Sequence, residues 1–388
     1  LAVDPNDHPM KIIPPYPVTV VGSWPRPPWL IDAMKRRSPA LADLQDQATL
    51  LAIKYQEDAG VDVISDGEQR RDNFYSFISD CLEGVRLMAL SELLDYVEDK
   101  AAFENLLNAL DVPAFAIKNP VVTGKVRRRK PLVLDDYRFL RAHTRKPVKV
   151  TLPGPYLLSR STWVKGLSDS TYPDGDSLGD DIVAVLREEL QQLAAAGADM
   201  VQFDEPVLSE LLLAGRSATR TFMCAALAAS SSPEGELERA VSLMNRVVEG
   251  VSGPILAVHV CRGNWSRNEG VLLSGSYDGL MPYLNRMKLS QFVLEYATPR
   301  AGSPKALAEL HAPAQIGYGV VNPRTAEIES VDEIVKKVRE LTEFISPDRV
   351  FLNPDCGFGT FAERPVADAR TAFEKLSALA VAARELRN

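Results

Sequence analysis

The sequence predicts a (β/α)8 barrel with an insertion after its second strand, and three observations point there. Short buried hydrophobic runs alternate with amphipathic helical stretches along 388 residues. A helix, Ala-Gly, Asp, apolar-run, acid pattern occurs twice with the same internal spacing. The side chains best able to carry chemistry stand at the ends of separate apolar runs, and a barrel gathers its active site from such strand ends.

In chain order, the first strand is expected at 17–22 (PVTVVG). A helix follows, with Leu44, Ala48, Leu51 and Tyr55 on one face at helical spacing. Ala59-Gly60 ends it, since glycine suits the left-handed C′ position, and Val61-Asp62-Val63-Ile64 begins a second buried strand leading to Glu68. The stretch 147–152 (PVKVTL) is the third strand. The pattern then returns: Ile182, Leu186, Leu190 and Leu193 share a helical face, Ala196-Gly197 stops it, and Ala198-Asp199-Met200-Val201 runs to Glu205. Further strands are expected at 254–260, 290–295, 313–319 and 349–353. Ser330-Val331-Asp332-Glu333 is a capping box opening a helix that carries Ile334, Val338 and Leu341; the last helix carries Ala369, Phe373, Leu376 and Ala380. A barrel needs roughly 250 residues, so the surplus is placed mainly at 75–146 and in the loops 156–180 and 206–234, within one domain spanning 1–388. An open doubly wound sheet is the competing architecture, but Val21-Gly22-Ser23-Trp24-Pro25 after the first strand is no dinucleotide fingerprint.

Bulk composition narrows the function. With 46% hydrophobic and 25% charged residues the chain is an ordinary globular protein. A net charge of -8 argues against nucleic acid as a partner, and the single basic run, Val126 to Lys130, is expected as a solvated loop or hairpin tip. Four cysteines in this length make no disulfide framework; Cys81 and Cys224 are expected as small core residues. No apolar signal core or membrane-length stretch is visible, so a cytoplasmic location is expected.

His259 and Cys261 lie in ILAVHVCRGN, Glu295 in QFVLEYATPRAG and Cys356 in RVFLNPDCGFGT. Residues i and i+2 of a strand face the same way, so His259 and Cys261 can meet one ion while Val258 and Val260 pack behind. One nitrogen, two sulfurs and one oxygen suit zinc. A closed structural site normally draws on short paired spacings of Cys and His. Here the donors are far apart and one is a carboxylate, more readily displaced than thiolate, which leaves room for a substrate atom.

These residues, with Gly22-Ser23, Asp66-Gly67-Glu68, Leu152-Pro153-Gly154-Pro155, Asp204-Glu205-Pro206 and Asn353-Pro354-Asp355-Cys356-Gly357, make the chain resemble the catalytic C-terminal barrel of cobalamin-independent methionine synthase and its short single-barrel relatives. The resemblance runs from Val21 through Cys356. It implies a Zn2+ cofactor on His259, Cys261, Glu295 and Cys356, the same four that strand ends select. It implies homocysteine at Gly22, Ser23, Glu68 and Asp204, and an acid near the methyl donor at Glu210. The implied reaction is methyl transfer to the thiol, giving methionine, with methylfolate, methylcobalamin or a corrinoid protein as donor.

The chain departs from the family in three places. A single barrel is expected, without the N-terminal half of the long enzymes. Arg324 stands where the long enzymes carry a proton-donating His, and Ser161 where an aromatic stacks on the pterin, with Trp163 two residues later expected to pack in a loop. These departures tilt the donor away from folate. Arg70 and Arg71 are expected either to meet an anionic part of donor or substrate or to form surface salt bridges. Two alternatives are kept: a zinc-thiolate alkyltransferase of the epoxyalkane:coenzyme M type, and a metal-free lyase resembling uroporphyrinogen decarboxylase.

Overall fold

The computed structural model describes residues 13–96, 118–213 and 232–388. Six parallel strands form a continuous sheet: β3 (Lys149–Pro153), β4 (Met200–Asp204), β5 (Ile255–Val260), β6 (Gln291–Glu295), β7 (Gln315–Val321) and β8 (Val350–Pro354). The ring is completed by parallel bridges, Val18 with Leu352, Thr19 with Val63, and Ile64 with Val148. The first two expected strands are therefore shorter than their apolar runs. Beyond Thr19 the first run leaves the ladder, and the carbonyls of Val20 and Val21 take hydrogen bonds from the side chains of Lys149 and Gln202 instead.

Every residue of β3, β4, β6 and β8 is buried, as a strand covered on both faces requires. Outward side chains such as Val258, Val260, Leu152 and Phe203 join the main core beneath the helices, while Val21, Ala257 and Val293 form a small cluster of their own. Among the helices are α1 (Leu41–Ala59), α2 (Gly175–Ala195), α3 (Val331–Thr342) and α4 (Ala369–Arg387). Gly60 adopts φ 88° and closes α1 as expected; Gly197, at φ 83°, turns the chain after α2. The Ser330 capping box on α3 is formed with both reciprocal hydrogen bonds. The face of α1 differs from expectation. Its buried stripe is Ala48, Ala52, Ile53 and Gln56, whose small members let the helix lie close, and Leu51 is 39% exposed.

Within 75–146, β1 (Leu82–Ala89) and β2 (Lys118–Arg128) form an antiparallel hairpin with a bulge at Gly84 (φ 74°). The basic run is not a hairpin tip. Val126 to Arg128 end β2, and Arg128 reaches Glu188 and Glu189 of α2. Glu189 in turn accepts the backbone N–H groups of Leu132, Val133 and Leu134, capping the next helix, so the Arg128 charge is absorbed by structure while Arg127, Arg129 and Lys130 stay exposed. Cys81 is buried in the core, which pushes its thiol up to about 11; Cys224 lies outside the described residues. Among the described residues no helix is long and apolar enough to cross a membrane.

Candidate metal centre and thiol pocket

The strand register brings the expected donors to one end of the barrel. Asp204 pairs with His259, and His259 with Val293, so β4, β5 and β6 finish at the same level. Cys261 follows β5, and Cys356 follows β8 on the Pro354-Asp355 step. The ligand atoms of His259, Cys261 and Cys356 all lie within 4.8 Å of one another, and all three residues are buried. This is the one such group among the described residues.

His259 is oriented for coordination. Its Nδ1 is 3.0 Å from Asp204 Oδ1, which fixes that nitrogen as the donor. Its buried Nε2 has no hydrogen-bond partner among the described residues. A buried ring nitrogen left open beside two thiols, with a carboxylate behind the other nitrogen, is a donor set that could hold a metal ion and that fits zinc. The hydrogen bond with Cys356 holds the Cys261 thiol low, and the same bond and burial drive Cys356 high. Burial opposes charge on His259, yet Asp204 and Cys261 outweigh it and lift the imidazole to about 9.

Glu295, the fourth expected ligand, falls outside this cluster. Its Oε1 is 3.4 Å from Arg324 and its Oε2 3.4 Å from Arg300, with Arg262 at 4.0 Å. Arg324 is buried between Glu295, Asp355 at 3.0 Å and Glu269 at 3.2 Å. Burial works against its charge, but the three carboxylates more than offset that and fix it as guanidinium.

The cluster forms part of a pocket of about 530 Å³ whose walls also include Gly22, Ser23, Glu68, Asp204, Phe74, Pro206, Asn264, Trp265 and Phe361. Glu68 enters it on an unusual backbone. Gly67 and Glu68 adopt φ 66° and 55°, and Asp66 Oδ1 accepts the Glu68 N–H at 3.0 Å. Glu68 Oε1 accepts from Thr151 at 2.8 Å with Arg71 at 3.8 Å, whereas Oε2 is buried and lacks a hydrogen-bond partner among the described residues. Burial pushes its carboxyl above the ordinary range, opposed by Arg71 and reinforced by Asp204. Gly22 is required here, because a Cβ would stand 2.3 Å from Glu68 Oε1.

The other expected residues divide. Glu205 is a helix cap, accepting the N–H groups of Tyr156 and Leu157. Glu210 is buried with Arg160 at 3.7 Å and is not part of the pocket wall. Arg70 forms ion pairs with Asp46 and Asp136, the salt-bridge alternative; Arg71 is buried and bonded to Thr151. Trp163 packs in its loop, donating to the Tyr172 carbonyl, and Ser161 is buried. Phe74, Asn264, Trp265, Thr360 and Phe361 were not legible as pocket residues. A signal existed for one of them: Gly263 adopts φ 108° and its Cβ position lies 2.3 Å from the Trp265 ring, so the Gly-Asn-Trp turn after the His-x-Cys pair lays an indole over the site.

The family described as the cobalamin-independent synthase catalytic domain matches residues 16–232 and 253–383. The chain belongs to this family. It is accordingly an enzyme of the methyltransferase type. It is similar to the methionine synthase of Thermococcus kodakarensis, 28% identical over 372 residues that cover 94% of this chain and 91% of that protein. It is also similar to the methionine synthase of Pyrococcus furiosus, 26% identical over 382 residues covering 97% and 94%. The fold matches a B12-independent methionine synthase from Shewanella sp. W3-18-1 in complex with selenomethionine, with TM-score 0.74 at 23% identity, covering 96% of this chain and 98% of that one. A methyltransferase from Methanosarcina mazei shares it at TM-score 0.55 and 16% identity, covering 96% and 95%.

Proposed function

We propose that this enzyme is a zinc-dependent methyltransferase that activates a thiol, homocysteine, for attack on a methyl donor to form methionine. One observation carries the reading: a buried His-Cys-Cys cluster with an open imidazole nitrogen forms one wall of a pocket that also holds Ser23, Glu68 and Asp204. Zinc held by His259, Cys261 and Cys356, with Glu295 as a displaceable fourth ligand, would remove the proton of a thiol whose free pKa is about 8.5 while leaving its sulfur nucleophilic.

The protein's own groups do the rest. Glu68 Oε2 and Asp204 offer carboxylate oxygens to the substrate ammonium, and a cation there favours the ionised form of Glu68 against its burial. Ser23 and the Gly22-Ser23 backbone face its carboxylate. Phe74, Pro206, Trp265 and Phe361 keep water from the sulfur, so the methyl group meets one nucleophile. In the transfer the S–CH3 bond forms as the donor–CH3 bond breaks, and the electron pair stays with the donor.

The donor follows from Arg324. A guanidinium held by three carboxylates cannot protonate a departing folate nitrogen, and Ser161 offers no ring for a pterin. A methylated corrinoid leaves without needing a proton, and it is the donor favoured over methyltetrahydrofolate.

The coenzyme M and uroporphyrinogen alternatives both need cations facing an anionic substrate. No lysine or arginine is among the described residues lining the pocket, which speaks against both. Metal analysis of protein purified without chelators, then titration of the cobalt-substituted enzyme with homocysteine and with coenzyme M, tests the reading. One equivalent of zinc and a spectral change with homocysteine alone is expected. Metal-free protein, or a response to coenzyme M only, would overturn it.

A further inference from the structure

One chain of hydrogen bonds crosses the barrel interior beneath the pocket, and nothing so far gives it a role. Lys149 of β3 and Gln202 of β4 are both fully buried. Lys149 Nζ donates to the Val20 carbonyl and, at 3.0 Å, to Gln202 Oε1. Gln202 Nε2 donates to the Val21 carbonyl at 3.1 Å and to Asp204 Oδ1 at 2.8 Å. Asp204 Oδ1 also meets His259 Nδ1 at 3.0 Å.

We infer that Lys149 and Gln202 are positioning residues that set the tautomer of His259 and anchor the Gly22-Ser23 wall through this single network. Each link has a fixed polarity. A lysine amine facing a backbone carbonyl donates, so the amide oxygen of Gln202 must turn toward it. The amide NH2 is thereby turned toward Val21 and Asp204. Asp204 Oδ1 receives a proton donor from that side and acts as an acceptor toward His259, which must then carry its proton on Nδ1. In the neutral ring that metal binding requires, the lone pair of Nε2 is left facing the two cysteines. The same two side chains satisfy the carbonyls of Val20 and Val21, where the first strand has left the ladder, and so hold the segment that delivers Gly22 and Ser23. A flipped Gln202 amide would set its oxygen against both the Val21 carbonyl and the Asp204 carboxylate, two repulsions in a buried site.

The inference rests on the metal reading of the cluster. Its test therefore reads zinc affinity, by competition with a chromophoric chelator, and the absorption bands of the cobalt-substituted protein, rather than turnover. Lys149→Met and Gln202→Glu are compared with wild type and with Asp204→Asn. Gln202→Glu keeps side-chain volume and the acceptor for Lys149 while removing the donor to Asp204, so it reports even where Lys149→Met fails to fold. Loss of such outer partners typically lowers metal affinity 10- to 100-fold, and a drop of that order with shifted cobalt bands is expected for each folded variant. Adding Lys149→Met to Asp204→Asn should weaken binding by no more than about twofold further, because both cut one chain. Folded variants with wild-type affinity, or losses that multiply independently, would overturn the inference. Wild-type protein that binds no metal would instead remove the reading beneath it.

Discussion

Glu68→Gln is the substitution that separates thiol recognition from metal binding. The side chain is buried, its Oε1 is taken by Thr151, and its Oε2 has no hydrogen-bond partner among the described residues. Glutamine fills the same volume, so the pocket shape and the cysteine cluster are left alone. What disappears is one negative charge opposite the incoming ammonium, and the Arg71 guanidinium 3.8 Å from Oε1 loses the largest of its carboxylate partners. Breaking a buried charge pair costs about 2–5 kcal/mol. Asp204 remains as a second acid, which places this case at about 2–3 kcal/mol, or about 30- to 150-fold. Steady-state kinetics over a range of homocysteine concentrations should show KM rising by that factor, while zinc stoichiometry and affinity stay within about threefold of wild type. A KM for homocysteine within threefold of wild type would refute the assignment of Glu68 to the ammonium. Lost zinc would refute the separation of the two subsites.

Four further outcomes are expected. Cys356→Ser should lose bound zinc in elemental analysis, whereas Cys81→Ser, in the core away from the cluster, should retain it. Glu295→Gln removes one of the two carboxylates that Arg324 and Arg300 share, Glu269 being the other; breaking a buried pair costs about 3–5 kcal/mol, a fall in Tm of roughly 3–6 °C by calorimetry, with weakened but measurable zinc binding. Gly357→Ala puts a Cβ 2.1 Å from Ser23 Oγ, so that wall must shift, and KM for homocysteine should rise at least about tenfold in the same kinetic assay. Burial depresses the Lys149 amine to about 7, partly offset by Asp204 and Glu68. The unfolded chain therefore holds more protons than the native state from pH 7 up to the ordinary lysine range, and stability rises with pH across that window by up to about 1.4 kcal/mol per unit. Urea midpoints at pH 7 and 9 should show the rise in wild type and its loss in Lys149→Met.

Much of the site was legible because barrel chemistry lies where apolar runs stop. His259, Cys261 and Cys356 each follow a run that reads as a buried strand, and the structure gathers them. The same logic selected Glu295 with equal force, yet its oxygens face arginines from the loops after β6 and β7, 5 and 29 residues further along the chain and invisible to strand periodicity. Lys149 and Gln202 escaped for another reason. PVKVTL and the Met200-Val201 run to Glu205 read as buried strands, although Lys149, Thr151, Gln202 and Asp204 alternate with hydrophobic neighbours and share the inner face. Alternation inside a barrel strand marks the lumen, and its polar members are the ones to interrogate. Leu51 shows the limit of helical spacing: two stripes of α1 carry apolar residues, and only packing against the barrel chose the one built on alanine.

The left-handed backbone at Glu68 has a consequence for how this enzyme can change. Glycine would adopt φ 55° without the roughly 1 kcal/mol or more that a side chain costs there. That gain is smaller than the cost of breaking the buried pairing with Arg71, so endurance and turnover both favour keeping the acid at this one codon.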